Sequence, residues 1–516
     1  MGQSSVRGRE VALPPVYPTV VHLLADAAAR AGDRTALSFE GRSLTYAQYL
    51  RCVAGFAGEL RDLGARGGRV ALILGNSLEM AVAMFAVHAA GAQAVPINPI
   101  YTARELRHIL GDAQPVAVVY DDQVEAALGP LRDELAIPHA VKVGAPAGRR
   151  LDVWCDDPRI RLPEPLPTPD MLAALQYTGG TTGVPKGVNI THGQMSVNIG
   201  QREALLPTRP DGERVLCVMP LFHVYAIAMA LHLSAYCQAS LAILPRYHPE
   251  VVLRALGDGR ITILPGSPTI YTGLMAHEAF AGCDWSNLRI CYSGAAPLPE
   301  ETLRRWEAAT GCAILEGFGQ TEAGPVLSFN PQEGVRKPGS VGVPLPQTEI
   351  QIVDVEPGTR VLPVGEMGEI RARGPQIMAG YRNRPAETAE ALRDGWLYTG
   401  DIGMVDPDGY LYIRDRKKDM AIVGGYNVYP REVDEVLYSH PAVLEAAAIG
   451  VPDAYRGEAI KAFVVLRPGA HATADDLLAH CRANLAKYKV PGTIQVVEAL
   501  PKTTVGKIDR RALKGM

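Results

Sequence analysis

At 516 residues the chain exceeds what one compact core holds, so two or more domains are expected. Its apolar share of 47% is ordinary for a globular protein, and a formal net charge of −4 leaves no basic stripe of the kind nucleic-acid binding needs. No run of about 18 residues is apolar and free of charges and turn signals, so no transmembrane segment is expected.

The N-terminal stretch Met1 to Pro15 has no apolar core and does not read as a signal peptide. Gly2 is followed at position 6 by Val6 rather than Ser or Thr, so the myristoylation pattern fails. The eight cysteines (Cys52, Cys155, Cys217, Cys237, Cys283, Cys291, Cys312 and Cys481) form no C-x-x-C pair and no Cys/His ligand spacing. Buried thiols in a reducing, cytoplasmic compartment are the expectation.

Thr45 with Gln48 forms a capping box that opens a helix, carried by Tyr46, Leu50, Val53, Ala57 and Leu60 and stopped near Gly64. A short apolar strand over 69–74, a helix over 79–90 and a strand over 93–97 follow, the βαβ pattern of a parallel sheet covered by helices. Next comes Tyr177-Thr178-Gly179-Gly180-Thr181-Thr182-Gly183-Val184-Pro185-Lys186-Gly187, with four glycines, three threonines and one lysine in eleven residues. Glycine lets backbone N–H groups approach an anion, threonine adds hydroxyl donors and lysine adds a charge, the chemistry of a polyphosphate cradle. The Walker pattern is absent, because Lys186 follows a proline and precedes a glycine. On composition alone a surface turn is an equal reading.

Strand–helix alternation continues with strands at 215–219, 240–244, 262–264 and 289–293. From about Leu345 the texture changes to short strands and turns, at 349–353, 368–372 and 410–413, a small β-rich subdomain. The charged run from Arg414 to Asp419 then precedes a compact α/β unit with strands near 446–449, 462–466 and 494–497 and a helix near 474–485. The boundary is placed inside the charged run: an N-terminal domain over 1–415, with the β-rich part at about 345–415, and a C-terminal domain over 416–516.

The Gly/Thr loop resembles the phosphate loop of the adenylate-forming superfamily, the acyl- and aryl-CoA synthetases. Further motifs appear in that family's order: Pro220-Leu221-Phe222-His223-Val224-Tyr225-Ala226, Tyr292-Ser293-Gly294-Ala295-Ala296-Pro297-Leu298, Glu316-Gly317-Phe318-Gly319-Gln320-Thr321-Glu322, Trp396-Leu397-Tyr398-Thr399-Gly400-Asp401, Gly424-Gly425-Tyr426-Asn427-Val428-Tyr429-Pro430, and Pro501-Lys502-Thr503-Thr504-Val505-Gly506-Lys507-Ile508. The resemblance runs from about residue 20 to the end, and the chain looks most like bacterial fatty acyl-CoA ligases. It implies an α/β fold: a large N-terminal domain of parallel sheets with helices and a β-rich subdomain, and a small mobile C-terminal α+β domain with its hinge near Lys418.

It also implies ATP, Mg²⁺ and coenzyme A acting on a small-molecule carboxylic acid in two half-reactions, an acyl-adenylate with pyrophosphate and then acyl-CoA with AMP. Thr178, Gly179, Gly180, Thr181, Thr182 and Lys186 would hold the β- and γ-phosphates. Gly294, Ala295, Ala296, Pro297, Gly317, Phe318, Gly319 and Gln320 would receive the adenine, with Phe318 stacking where the family usually has tyrosine. Thr321 would contact the α-phosphate and Glu322 would ligand Mg²⁺. Asp401, Ile413 and Arg416 would border the ribose, and Gly425 and Tyr426 the pantetheine tunnel. Lys507 would bridge carboxylate and α-phosphate, and His223 would sit at the mouth of the acid pocket.

Val224, Tyr225, Ala228, Tyr292 and Val326 would line that pocket. These side chains are apolar or weakly polar, and no arginine in these segments would capture a second carboxylate. A medium- or long-chain fatty acid is the expected substrate. Tyr225 and Tyr292 keep a compact aryl or alicyclic acid close behind. Two other readings stay open: an acyl-AMP ligase that loads a carrier protein, and a nucleotide-binding module without catalysis. A serine hydrolase is excluded by the lack of any G-x-S-x-G elbow. A homodimer is compatible with the sequence.

Overall fold

The computed structural model describes residues 2–144, 148–178, 185–210, 212–258, 260–453, 455–503 and 506–516. Four sheets organise them. In the seven-stranded sheet, Arg69–Ile73 lies parallel to both Gln93–Pro96 and Ala117–Tyr120, and His139–Lys142 extends the parallel set. Leu172–Thr178 runs parallel to Gln93–Pro96, and the chain then reverses into Lys186–Thr191. The Gly/Thr motif therefore connects the two strands of an antiparallel hairpin at the end of a parallel sheet.

The nine-stranded sheet is built on Arg214–Cys217, Ser240–Ile243, Ile263–Gly266, Ile290–Ser293 and the first half of Ile314–Gly319, all parallel to their neighbours. The helix Leu78–Ala89 is buried along its whole length. It touches Arg69–Ile73 and Gln93–Pro96 of one sheet and Thr35–Phe39 of the other, so it has no solvent face and its sequence is apolar nearly all round. The helix Tyr46–Asp62 begins at the Thr45–Gln48 capping box, as its sequence predicts, and packs on that buried helix.

A mostly antiparallel sheet contains Glu349–Val353, Gly368–Arg373, Trp396–Val405 and Leu411–Arg416. The last strand reaches further than the sequence suggests, because the charged residues Asp415 and Arg416 stay paired to Ile402 and Asp401 of the neighbouring strand. Beyond it, Ala421–Val423, Tyr426–Val428, Val443–Asp453, Gly457–Leu466 and Thr493–Val496 form a five-stranded sheet. With the helices Pro430–Tyr438 and Ala474–Asn484 it encloses cores separate from the main one. No helix among the described residues is long and apolar enough to cross a membrane.

Candidate active site

Two motifs end side by side at the carboxyl edge of the nine-stranded sheet, because Ile290–Ser293 and Ile314–Gly319 are adjacent parallel strands with Ser293 opposite Glu316. Open α/β sheets bind ligands at such edges. After Ser293 the chain turns sharply: Ala295 is left-handed, with φ 68°. Gly294 has to be glycine for packing, since a Cβ there would lie 2.8 Å from Cε2 of Tyr225. Gly317 is set in the same way by the ring of Phe329, which a Cβ there would overlap. The glycines of both motifs thus serve close packing of the walls, beyond any contact with a nucleotide. Leu298 N–H donates to Glu316 Oε1 (2.9 Å), which ties the two motifs together.

Glu322 follows in the turn Thr321–Ala323. Its Oε1 accepts a hydrogen bond from the Tyr381 hydroxyl at 2.8 Å, and the ammonium of Lys186 sits 5.1 Å above the centre of the same Tyr381 ring. Tyr381 is brought there because Gly380–Tyr381 pairs with the strand Lys186–Thr191. Sequence reasoning passed over this tyrosine, although the structure makes it the bridge between the phosphate-loop lysine and the motif carboxylate. Thr178 and Lys186 face each other across the hairpin. Gly179, Gly180, Thr181 and Thr182 lie outside the described residues.

Asp401 and Arg416 are cross-strand partners, with Arg416 Nε 3.4 Å from Asp401 Oδ1. Burial pushes the Asp401 carboxyl up to about 6 against the opposing pull of Arg416. Ile413, on the same strand as Arg416, accepts a hydrogen bond at its carbonyl from Arg431 Nη1 (2.6 Å). Lys418 follows two residues on, and its ammonium is drawn down to about 8 by desolvation and by the charge of Arg416.

Lys507 arrives from the C-terminal part of the chain. Thr503 accepts at Oγ1 from Lys507 N–H (3.2 Å) and donates its own N–H to Lys507 O (2.7 Å), forming a tight loop. Thr269 Oγ1 donates to Gly506 O (2.8 Å), docking that loop beside the nine-stranded sheet. Burial and the charge of Arg416 bring the Lys507 ammonium down to about 8, with Asp401 pulling the other way. His223 also feels Lys507: burial first, then that positive charge, hold its imidazole at about 3. The His223 ring is therefore neutral near pH 7. Its Nδ1 accepts from Tyr225 N–H (3.2 Å), which leaves Nε2 as the donor.

The expected acid-pocket residues are also gathered. Tyr225 is buried, and its hydroxyl donates to Tyr292 O (3.1 Å). The chain after His223 runs through a short turn, Val224–Ala226, into a π-helical turn, Ile227–His232, that carries Ala228. Val326 is pinned from behind by Asn198, which donates from Nδ2 to Val326 O (2.9 Å) and accepts Val326 N–H (3.1 Å). One turn further along the helix His192–Leu205, Arg202 donates from Nη1 to Ala228 O (3.1 Å). An arginine thus bonds the backbone of Ala228, one of the expected pocket residues, from a helix outside the segments in which none is found. Its signal was available: Met195, Ile199 and Arg202 share one buried face at helical spacing.

Gly425 and Tyr426 are not brought to this cluster. Both are exposed, and Tyr426 stacks on Tyr488 with ring centres 4.7 Å apart. The described residues hold no group of three or more metal-ligating side chains. The donor set still fits Mg²⁺, which takes one or two carboxylates and completes its shell with phosphate oxygens and water. Glu322 offers such a carboxylate, with its Oε1 engaged by Tyr381.

Comparison with known proteins agrees with this geometry. A family profile described as AMP-binding enzyme matches residues 24–382, and one described as AMP-binding enzyme C-terminal domain matches residues 432–507. The chain is 39% identical to a long-chain-fatty-acid–CoA ligase of Bacillus subtilis, covering 97% of this chain and 95% of that one. It is also 39% identical to a feruloyl-CoA synthase of an Amycolatopsis species, over 92% and 94% of the two chains. Among solved structures, the anthranilate CoA ligase AuaEII in complex with anthranoyl-AMP superposes with a TM-score of 0.91 at 30% identity, covering 97% of this chain and 98% of that one. ATP-bound MatB from Rhodopseudomonas palustris superposes with a TM-score of 0.87 at 32% identity, covering 96% and 98%. With paired strands carrying Asp401 and Arg416, a docked loop carrying Lys507, and profile matches on both sides of the charged run, the chain belongs to the AMP-binding enzyme family.

Proposed function

We propose that this protein is an AMP-forming acid–CoA ligase whose substrate is a medium- or long-chain fatty acid. The observation that carries the reading is the Lys507 loop docked through Thr269 and Gly506, with the Lys507 charge in electrostatic reach of Asp401, Arg416 and His223. A carboxylate oxygen attacks the α-phosphorus of ATP, the new O–P bond forms, and pyrophosphate leaves with the electrons of the broken P–O bond. Two anions must meet, so cations at the point of contact lower the barrier. Lys507 supplies a charge that is largely desolvated and so acts strongly. Neutral His223 donates from Nε2 toward the acid carboxylate and holds it in line. Asp401 accepts the ribose hydroxyls, Phe318 covers the adenine, and Thr321 donates to the α-phosphate. Lys186, held against Tyr381, faces the β- and γ-phosphates. When bound at Glu322, Mg²⁺ supplies charge neutralisation on the phosphate oxygens.

For the second half-reaction the joint is assigned to the charged run, with Lys418 as the hinge. Leu411–Arg416 pairs with the N-terminal sheet, whereas the hairpin from Ala421 belongs to the C-terminal sheet, so few residues separate the two units. Gly425 and Tyr426, exposed in this orientation, would border the thiol's approach after rotation. A cytoplasmic setting is supported by eight free cysteines. Relatives named as long-chain-fatty-acid–CoA ligases support the acid class. The tyrosines Tyr225 and Tyr292 in the wall, with a feruloyl-CoA synthase among the relatives, support an aryl acid as the second reading.

The test is a panel of fatty, aryl and alicyclic acids scored by kcat/KM for acyl-CoA formation, with fatty acids expected to lead. Failure of every acid would count against the ligase reading. Within that panel, Ala228→Trp is expected to reduce turnover of long acids at least about tenfold more than that of short ones, since it fills the wall at the π-helical turn. Equal losses on all acids would remove Ala228 from the pocket.

The pH profile follows from two groups. Asp401 must be ionised to accept hydroxyls, so activity falls as pH drops through about 6. Lys507 must be charged, so adenylation falls as pH rises through about 8. A bell-shaped kcat/KM with those limbs is expected for the adenylation step. Lys507→Arg should move the alkaline limb upward, because a guanidinium stays charged. An alkaline limb unchanged in that variant would mean Lys507 does not set it.

A further inference from the structure

We propose that Asp112 is a positioning residue for the polyphosphate end of ATP, fixing the Lys186 hairpin and the Tyr381 strand relative to each other. The inference rests on the reading above in one respect, that Thr178 and Lys186 face the β- and γ-phosphates. Asp112 lies in the last turn of the helix Ala103–Ala113, which opens at a Thr102–Glu105 capping box. The buried face of that helix, Leu106, Ile109, Leu110 and Ala113, shares a core with Leu175, and Tyr177 packs against the same core. Leu175 and Tyr177 belong to the strand that leads into the Gly/Thr motif, so the helix is fixed to that strand by packing alone.

Three hydrogen bonds then converge on Asp112. Its Oδ2 accepts from the Tyr177 hydroxyl (2.6 Å), its Oδ1 from Asn383 Nδ2 (3.2 Å) and its carbonyl from Arg382 Nε (2.7 Å). The first has the length of a strong bond from a hydroxyl to a carboxylate. Burial and then the Asp112 carboxylate push the Tyr177 hydroxyl well above its usual range, so it stays a donor. Tyr177 stands across the hairpin from Gly187, next to the Thr178–Lys186 pair. Gly187 has to be small there, since a Cβ would lie 3.1 Å from Tyr177 Cζ and 2.8 Å from Leu175 Cδ1. On the other side, Arg382 follows Tyr381 directly and donates its N–H to Gly187 O (2.8 Å). One turn earlier in the helix, His108 donates from Nε2 to Pro185 O (3.3 Å), beside Lys186. Asp112 thus holds the neighbours of both partners in the Lys186–Tyr381 contact, where the ammonium stands 5.1 Å from the ring centre. A shift of Lys186 would be felt by the β- and γ-phosphates, whereas the α-phosphate is assigned to Thr321. AMP, which lacks the outer phosphates, should not register it.

The experiment measures Kd for ATP and for AMP by calorimetry in Mg²⁺ buffer, without acid or CoA. It uses the full-length wild type, Tyr177→Phe and Asp112→Ala, with melting temperatures alongside. Both variants are expected to raise the Kd for ATP about tenfold, the equivalent of one hydrogen bond to a charged group, and to leave that for AMP within about twofold. Tyr177→Phe keeps the ring against Gly187 and removes only the bond to Asp112, so it carries the test alone if Asp112→Ala does not fold. Equal weakening of ATP and AMP would show a general structural role and overturn the inference. An unchanged Kd for ATP in Tyr177→Phe would overturn it as well. Acyl-CoA formation is scored on the same wild-type preparation. No turnover of any acid, with ATP and AMP separating as expected in the variants, would overturn the ligase reading and leave the inference standing. A wild type that binds no ATP would overturn both.

Discussion

Lys507→Ala is expected to abolish acyl-adenylate formation, lowering its rate about 10²–10³-fold or more, the range found when one donor is removed from a developing oxyanion. Lys507 is brought into the cluster by the C-terminal loop, and its charge acts on Asp401, Arg416 and His223. Among the described residues its side chain makes no hydrogen bond that holds the fold; the loop is anchored by Thr503 and by the Thr269–Gly506 contact. The variant should therefore melt like the wild type. Supplied with preformed acyl-adenylate, it should still make acyl-CoA at close to the wild-type rate, because in the proposed rotation about Lys418 the Lys507 loop leaves the site for the second half-reaction. Equal losses in both half-reactions would place Lys507 in a general structural role.

Glu322→Gln should produce the second-largest loss, about 10²-fold or more in the adenylation rate, with a rise in the Mg²⁺ concentration needed for half-maximal activity. The substitution keeps an oxygen that accepts from Tyr381, so the Lys186–Tyr381–Glu322 arrangement survives while the negative charge is lost. Tyr381→Phe separates the two contributions. It keeps the ring beneath Lys186 and the carboxylate, and loses only the 2.8 Å hydrogen bond, so a milder effect is expected. If Glu322→Gln left the Mg²⁺ dependence unchanged, Glu322 would not be the metal ligand.

Much of the site was legible because its chemistry forces residue types. A phosphate cradle needs glycine, hydroxyls and a cation in one short loop, and a ribose acceptor needs a carboxylate. Thr178, Lys186, Glu322, Asp401, Arg416, His223 and Lys507 were named as candidates from motifs that resemble the family's, and their roles remain the proposal made above. The capping box at Thr45 and the βαβ alternation were equally local, set by hydrogen bonding within a few residues. Tyr381 and Arg202 were not legible in this way. Each acts through pairing or packing across a long sequence separation, Tyr381 through its strand beside Lys186–Thr191 and Arg202 through a helix that backs the pocket. The reason for glycine at 294 and 317 was also hidden, since it lies in the rings of Tyr225 and Phe329. Gly425 and Tyr426 present a different case: their motif was readable, but both are exposed away from the cluster, with Tyr426 stacked on Tyr488.

If these residues form an adenylation site completed by the docked Lys507 loop, the first half-reaction must run backwards as well as forwards on the same groups. Acid-dependent exchange of labelled pyrophosphate into ATP, followed by addition of CoA, reads this out. Exchange is expected with a fatty acid present and not without it, it should be lost in Lys507→Ala, and stoichiometric AMP should be released once CoA is added. ATP binding with no exchange for any acid, or exchange that survives in Lys507→Ala, would show that the docked loop does not complete the site.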